Sequence, residues 1–377
     1  MDHADNDAAD DAALPLAGLL VLELTAARAG AVSARHLADW GAEVIRITPP
    51  DAEPDAGFDA APDDRLDAFN LHRGKRHLRL DIAPPDGREV LDRLLERADV
   101  LILDGPAAAR AGHGLDAPRL RARHPRLVVA TVSGFGEAAS GHHALADRAE
   151  SDELAQGMGG LMAVTGRPGG GPMRAGAPVA AMTAGNLLTL GVMIALYARA
   201  TTGRGSDVDT SLLESQIFML DFQAARYLML GEVAGQAGND HPTSAPTGVF
   251  PTADGHLNIA AASNKLWATL AAALGHPEWA ENPAWASPSG RAADRAGLNA
   301  AIGSATITRT AADWFEILNQ AGIPAGPIYR IDQLFDDPQV RHLDMAQPAE
   351  DPRLGTGRLL TSALNFVGLP RRLPVSC

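Results

Sequence analysis

The chain has 377 residues, 46% of them hydrophobic and 21% charged, which is the composition of an ordinary globular protein long enough for two domains. Its 46 acids against 32 Lys and Arg give a net charge of −14, which argues against nucleic acid as a partner, because phosphate backbones need clustered cations. The single cysteine is the last residue, Cys377, so no internal disulfide is expected and a reducing cytoplasm is the expected compartment.

The acidic opening MDHADNDAADDAALP reads as a solvated, disordered tail over residues 1–15; a secretory leader would be basic and then apolar. GLLVLEL (18–24), the helically spaced GAVSARHLADW and AEVIRI (42–47) predict a β-α-β unit. Its first turn, TAARAGA, lacks the glycine spacing of a dinucleotide fingerprint, so a nicotinamide cofactor is not expected. DGREVLDRLLERA then predicts a helix, VLILD a strand, PRLRARH a helix and RLVVATVSGF a strand. This alternation predicts an α/β fold, a Rossmann-like domain with a mainly parallel sheet covered on both faces.

From Asp152 the texture turns helical: DELAQGMGGLMAV, then 183–200, then a segment starting near Asp209 with a capping box at Ser211–Glu214. The apolar run 187–200 is too short to span a bilayer and is closed by Arg199 and Arg204, so a buried helix is expected and no membrane partner. PTGVFPTADGHLNIAAAS predicts a hairpin turning at Asp254 and Gly255, with helices to follow at 267–274 and 310–321. The expected organisation is a large domain over 16–200, a linker helix over 201–224, a smaller α+β domain over 225–325, and a return to the large domain over 326–377.

Several phrases resemble the family III CoA-transferases (the CaiB/BaiF type), which include formyl-CoA and carnitine CoA-transferases and the α-methylacyl-CoA racemases. They are LAGLLVLELTAARAG with LADWGAEVIRI, NLHRGKRHLRLDI with DGREVLDRLLERADVLI, PRLVVATVSGFG, DELAQGMGGLMAVTG, TTGRGSDVDTSLLES, PTGVFPTADGHLNIA and AGIPAGPI with DPQV, in the family's order from about residue 16 to 350. The resemblance implies a Rossmann-like large domain, a small domain and an interlocked homodimer of two threaded subunits. It also implies coenzyme A as part of an acyl-CoA substrate, a carboxylic acid as acceptor, and no metal. In the transferases an aspartate attacks the thioester, forming an aspartyl anhydride and releasing CoA thiolate, so that each intermediate stays activated.

Lined up on Pro178 and Thr183-Ala184-Gly185, the nucleophile's slot holds Ala181. Further departures surround it. Ser151 stands where the racemases place a histidine, Thr48 and Pro49 where an acid and an arginine help hold the nucleotide, and Ala31 where a proline is usual. GPAAARAG (105–112) resembles the carnitine enzyme's version of the phrase after the third strand, but that enzyme's two cations fall on Asp104 and Ala111.

Among the remaining candidates, Asp152 matches a family acid near the thioester and also suits a helix N-cap. Arg110 is the expected contact to a CoA phosphate, with Arg46, Arg73, Lys75 and Arg76 as a basic cluster in an acidic chain. Arg28, in the first loop, is a clamp for a carboxylate or a CoA contact. His142 and His143 are solvated loop residues or an acid–base pair, and GRPGGGP (166–172) reads as an active-site loop rather than a P-loop. Three readings stay open: a CoA-transferase disarmed by one substitution, a non-catalytic acyl-CoA-binding subunit paired with an aspartate-bearing homologue, or an acyl-CoA enzyme using Asp152 or a loop histidine.

Overall fold

The structure is a computed structural model that describes residues 14–50, 62–136, 145–148, 150–351, 354–369 and 371–372, with side chains omitted at 62–65. The tail up to residue 13, His142, His143 and Cys377 lie outside the described residues. The chain divides into two compact units. One holds 1–162, 174–233 and 338–377; the other holds 163–173 and 234–337.

The first unit is built on strands β1 (Leu20–Leu24), β2 (Glu43–Thr48), β3 (Arg76–Arg79), β4 (Val100–Asp104), β5 (Val128–Ser133) and β6 (Asp207–Ser211). They lie side by side in the order β3-β2-β1-β4-β5-β6, every neighbouring pair parallel. This is the doubly wound order, whose reversal between β1 and β4 opens a crevice at the strands' carboxyl ends. The helices are α1 (Arg28–Asp39), α2 (Pro62–His72), α3 (Pro85–Leu95), α4 (Ala107–Gly112), α5 (Ala117–Arg123), α6 (Asp152–Met158), α7 (Leu161–Val164, where the chain passes into the second unit), α8 (Val179–Thr202), α9 (Leu212–Met219) and α10 (Phe222–Leu230).

The period of two along each strand sorts the core. Val21, Val44, Val100, Ile102, Val128, Ala130 and Val132 form one cluster with α1 and α8, through Ala34, Leu37, Ala184 and Leu188. Leu22, Ile47, Leu101, Leu103 and Val129 form the other, with Leu91 and Leu95 of α3 and Leu120 of α5. Helices α1 and α8 approach closely because Gly185 has no side chain: a Cβ there would lie 2.7 Å from both the Ala29 carbonyl and Val32 Cβ.

Helix α8 buries one side, including Ala181, Leu188 and Val192, and exposes Leu190, Ile194 and Tyr197 on another, so it is not buried all round as its composition suggested. Residues 201–224, expected as a linker helix, instead supply β6 and then α9. The strand was missed because it is a polar edge strand, Asp-Val-Asp-Thr-Ser, with little apolar alternation to read. The expected cap of α9 is present: Ser211 Oγ accepts from Glu214 N at 3.0 Å, and Glu214 Oε2 in turn accepts from the Ser211 hydroxyl at 2.7 Å. The antiparallel hairpin β10 (Ala346–Asp351) and β11 (Gly355–Leu360) follows the second unit, and its flank packs on the first. There Trp40 donates to Ser362 Oγ at 3.2 Å and meets Phe366 edge-on.

The second unit carries β7 (Thr247–Pro251), β8 (His256–Ala260) and β9 (Ala325–Pro327), all antiparallel, with the hairpin turn at Asp254 and Gly255. Phe250, Trp267, Leu270, Ile302, Trp314 and Leu318 fill its core. A fully buried Arg291 ties this core together by donating to the carbonyls of Ala245, Trp285 and Ala262. Residues 173–178 separate the GRPGGGP run from α8, so no helix starts directly at its end as a P-loop requires, and Gln236 donates to the carbonyls of Thr165, just before it, and Gly171, within it.

Candidate functional site

The sheet face that packs on α1 and α8 is apolar until its strands end, and there it turns polar. Register places Glu23 beside Arg46, Arg46 beside His77 and Thr48 beside Arg79. Asp104, two residues past Ile102, ends β4 on the same face. Acids and cations thus converge on the carboxyl edge, at the switch point between β1 and β4.

Two helices that begin at this edge, α1 and α8, lack a capping side chain of their own. The N-cap of α1 is Ala27 and that of α8 is Pro178, and neither accepts a side-chain hydrogen bond. Carboxylates from other elements take that role. Asp104 Oδ2 accepts from Ala26 N at 2.7 Å and Ala27 N at 2.5 Å. Asp152 Oδ1 accepts from Ala181 N at 2.9 Å, while Asp152 Oδ2 accepts from Gln156 Nε2 at 2.6 Å. Gln156, fully buried, also donates to Ala177 O and accepts from Ala175 N, which fixes the approach to α8.

Asp152 is therefore not the N-cap of its own helix. That position is Ser151, whose Oγ accepts from Leu154 N at 3.2 Å, and this frees Asp152 to reach the start of α8. A carboxylate there meets the positive end of a 24-residue helix. Replacing Asp152 with Ala is expected to cost about 1–2 kcal/mol, the worth of a lost helix cap. Amide hydrogen exchange at Ala181 checks it: protection equal to that of the parent protein would refute the capping role.

Two carboxyl groups here titrate high. Burial lifts Asp104 to about 6 against the pull of its two backbone donors. Burial, followed by the charge of Asp104, lifts Glu150 to about 7. Glu150 fits because Gly134, just after β5, has no side chain: a Cβ there would meet Glu150 Cβ at 2.4 Å.

A cavity of about 520 Å³ opens along the edge. Arg46, Thr48, His77 and Arg79 line its β2–β3 end, and Asp104, Arg110 and His113 its β4 end. A second, of about 290 Å³, lies between the first loop and α2, with Arg28, Arg46 and Asp67 on its wall. Arg28 forms a two-pronged ion pair with Asp67 there. Arg110 donates to Gly105 O within its own turn.

The other expected cations point elsewhere. Arg73 is buried and grips Asp39 with two hydrogen bonds, at 3.1 and 2.9 Å. Lys75 is buried against Glu23, Nζ to Oε2 at 2.7 Å with both side chains fully shielded, and also donates to Ala31 O. Next to it, burial and the Lys75 ammonium hold His72 neutral, down at about 2. Arg76 is exposed and pairs with Glu43. Of the basic cluster, Arg46 lines both of these cavities. Sequence reasoning missed His77, Arg79, Gln156 and Glu150. The alternation of β3 signals the first two: Arg46 and Thr48 on β2 carry His77 and Arg79 as parallel neighbours.

Residues 16–376 match the family described as CoA-transferase family III. The chain is 34% identical over 348 residues to the succinate–glutarate CoA-transferase of Agrobacterium fabrum, covering 89% of this chain and 86% of that protein. It is 31% identical over 345 residues to the succinyl-CoA–D-citramalate CoA-transferase of Chloroflexus aurantiacus, covering 90% and 85%. The crystal structure of a CaiB/BaiF family protein from Brucella suis superposes with a TM-score of 0.82 at 31% identity, over 96% of this chain and 95% of that one. With the doubly wound sheet, the polar carboxyl edge and these relatives together, the chain belongs to CoA-transferase family III.

Proposed function

We propose that this chain binds an acyl-CoA along the carboxyl edge of the sheet, with its diphosphate at Arg46 and Arg110 and its thioester toward the start of α8. The observation that carries the reading is the cation-lined cavity at the switch point of a chain whose net charge is −14. Asp152 and Gln156 hold the first turn of α8 in place, and the turn ends in the methyl group of Ala181. A methyl group cannot attack a thioester, so the covalent half-reaction does not run through residue 181 in this polypeptide. The relatives named for succinate, glutarate and citramalate support a dicarboxylic acyl group and acceptor. Arg28 is the group we assign to the second carboxylate, exchanging Asp67 for it.

A partner subunit is part of this reading. Leu190, Ile194 and Tyr197 form a stripe at i, i+4 and i+7 on the outer side of α8, and Phe218 on α9 and Leu228 and Met229 on α10 are exposed as well. The stripe supports a second chain, either another copy or an aspartate-bearing homologue, with cytoplasmic acyl-CoA as the ligand.

The test is calorimetric titration with CoA and succinyl-CoA, followed by mass-spectrometric exchange between succinyl-CoA and labelled glutarate. Both ligands are expected to bind, with no exchange above background from this chain alone. Failure to bind would overturn the site. Rapid exchange by the isolated chain would overturn the role given to Ala181.

A further inference from the structure

We propose that Glu150 is a general base of this site: it takes a proton from a water molecule that attacks the thioester of the bound acyl-CoA, which makes the chain a slow acyl-CoA hydrolase while residue 181 is alanine. The inference rests on the CoA-binding reading above and adds an activity to it. Asp152, the acid expected near the thioester, is already committed, since its two oxygens accept from Ala181 N and Gln156 Nε2. Glu150 stands two residues before it. Ser151 between them is extended, at φ −155° and ψ 161°, so the side chains of 150 and 152 project to one side of the chain. That is the side on which Asp152 reaches the start of α8.

The carboxyl of Glu150 lies against the end of β5. A Cβ on Gly134 would fall 2.6 Å from Glu150 Oε2, so a glycine there gives the carboxyl its place. Gly134 is two residues past Val132, the parallel neighbour of Asp104, and Asp104 lines the cavity. Glu150 is half-buried, and none of the described residues donates a hydrogen bond to its carboxyl. Its lone pairs are therefore left for water.

The charges around Glu150 suit a proton acceptor near neutral pH. Burial first, and then the Asp104 carboxylate, raise it to about 7. Asp104 is itself acted on by Glu23 and Arg110 and is held by two backbone donors. Asp152 is two residues on, and Glu214 of α9 faces Gly136 but is bound by the Ser211 hydroxyl. Once ionised, Glu150 accepts a proton from water as the water oxygen bonds to the carbonyl carbon. The C–S bond then breaks with its electron pair passing to sulfur. Glu150 returns its proton to the thiolate, since an ordinary thiol titrates higher, at about 8.5. The products are the CoA thiol and a free acid, which sheds one proton to solvent.

The experiment measures thiol release from acetyl-CoA and succinyl-CoA by the full chain as a function of pH, with calorimetric titration of CoA alongside. Release is expected to exceed that in buffer alone and to rise with pH to a plateau past about 7, where Glu150 is ionised. Glu150→Gln should lower the rate by about 10²-fold or more, the worth of a general base, and leave CoA affinity nearly unchanged. Asp104→Asn keeps an oxygen for the amides of Ala26 and Ala27 but removes the like charge, so it should move the midpoint of the pH profile down, which a merely structural role would not do. CoA binding with thiol release no faster than in buffer, or release unchanged in Glu150→Gln, would overturn the inference while the CoA site stands. An acyl adduct on Glu150 trapped by hydroxylamine would overturn attack by water. Binding of neither CoA nor acyl-CoA would overturn the CoA reading and this inference with it.

Discussion

Ala181→Asp is expected to give this chain CoA exchange between an acyl-CoA and a free acid, at least about 10³-fold above its own background, because it supplies the nucleophile of a covalent path. Residue 181 is the third residue of α8, where a carboxylate meets the positive end of the helix, and its backbone N–H is already bound to Asp152. A covalent acyl adduct on residue 181, trapped with hydroxylamine or found by peptide mass spectrometry, is the specific readout. Intact folding and CoA binding with no gain in exchange would show that more than the nucleophile has been lost, and would favour the non-catalytic subunit.

The second large effect concerns stability. Lys75→Met is expected to destabilise the first unit by about 3–5 kcal/mol, because it leaves the Glu23 carboxylate buried without its cation. Adding Glu23→Gln to that variant should recover much of the loss, since it removes the charge that was left unpaired. Arg79→Ala, at an exposed position, should stay within about 0.5 kcal/mol of the parent. Urea midpoints for the variants separate a cation that holds the fold from one that meets a ligand. Normal stability with weakened CoA binding in Lys75→Met would reverse the assignment.

The alternation of strands and helices through the first unit was legible because parallel strands buried on both faces read as short apolar runs. VLILD and RLVVATVS gave β4 and β5 in this way. β6 was not legible, since an edge strand of Asp, Val, Asp, Thr and Ser carries no such run. Ala181 was singled out from its place in a phrase, and the structure adds that its amide is what Asp152 holds. Arg73 and Lys75 were expected to meet a ligand because charge in a sequence does not disclose burial. Their partners, Asp39 and Glu23, lie 34 and 52 positions away (73 less 39, and 75 less 23). Arg79 and His77 were passed over for the converse reason: only strand register puts them beside Arg46 and Thr48.

Borrowed caps have a consequence for what this scaffold tolerates. Since α1 and α8 are anchored by Asp104 and Asp152, through the backbone of residues 26, 27 and 181, the capping of both helices does not depend on which side chains stand at those positions. The carboxylates that cap these helices and the residue at position 181 are separate. On the function proposed above, residue 181 can change between a carboxylate and a methyl in a single step while the caps of α1 and α8 stay as they are.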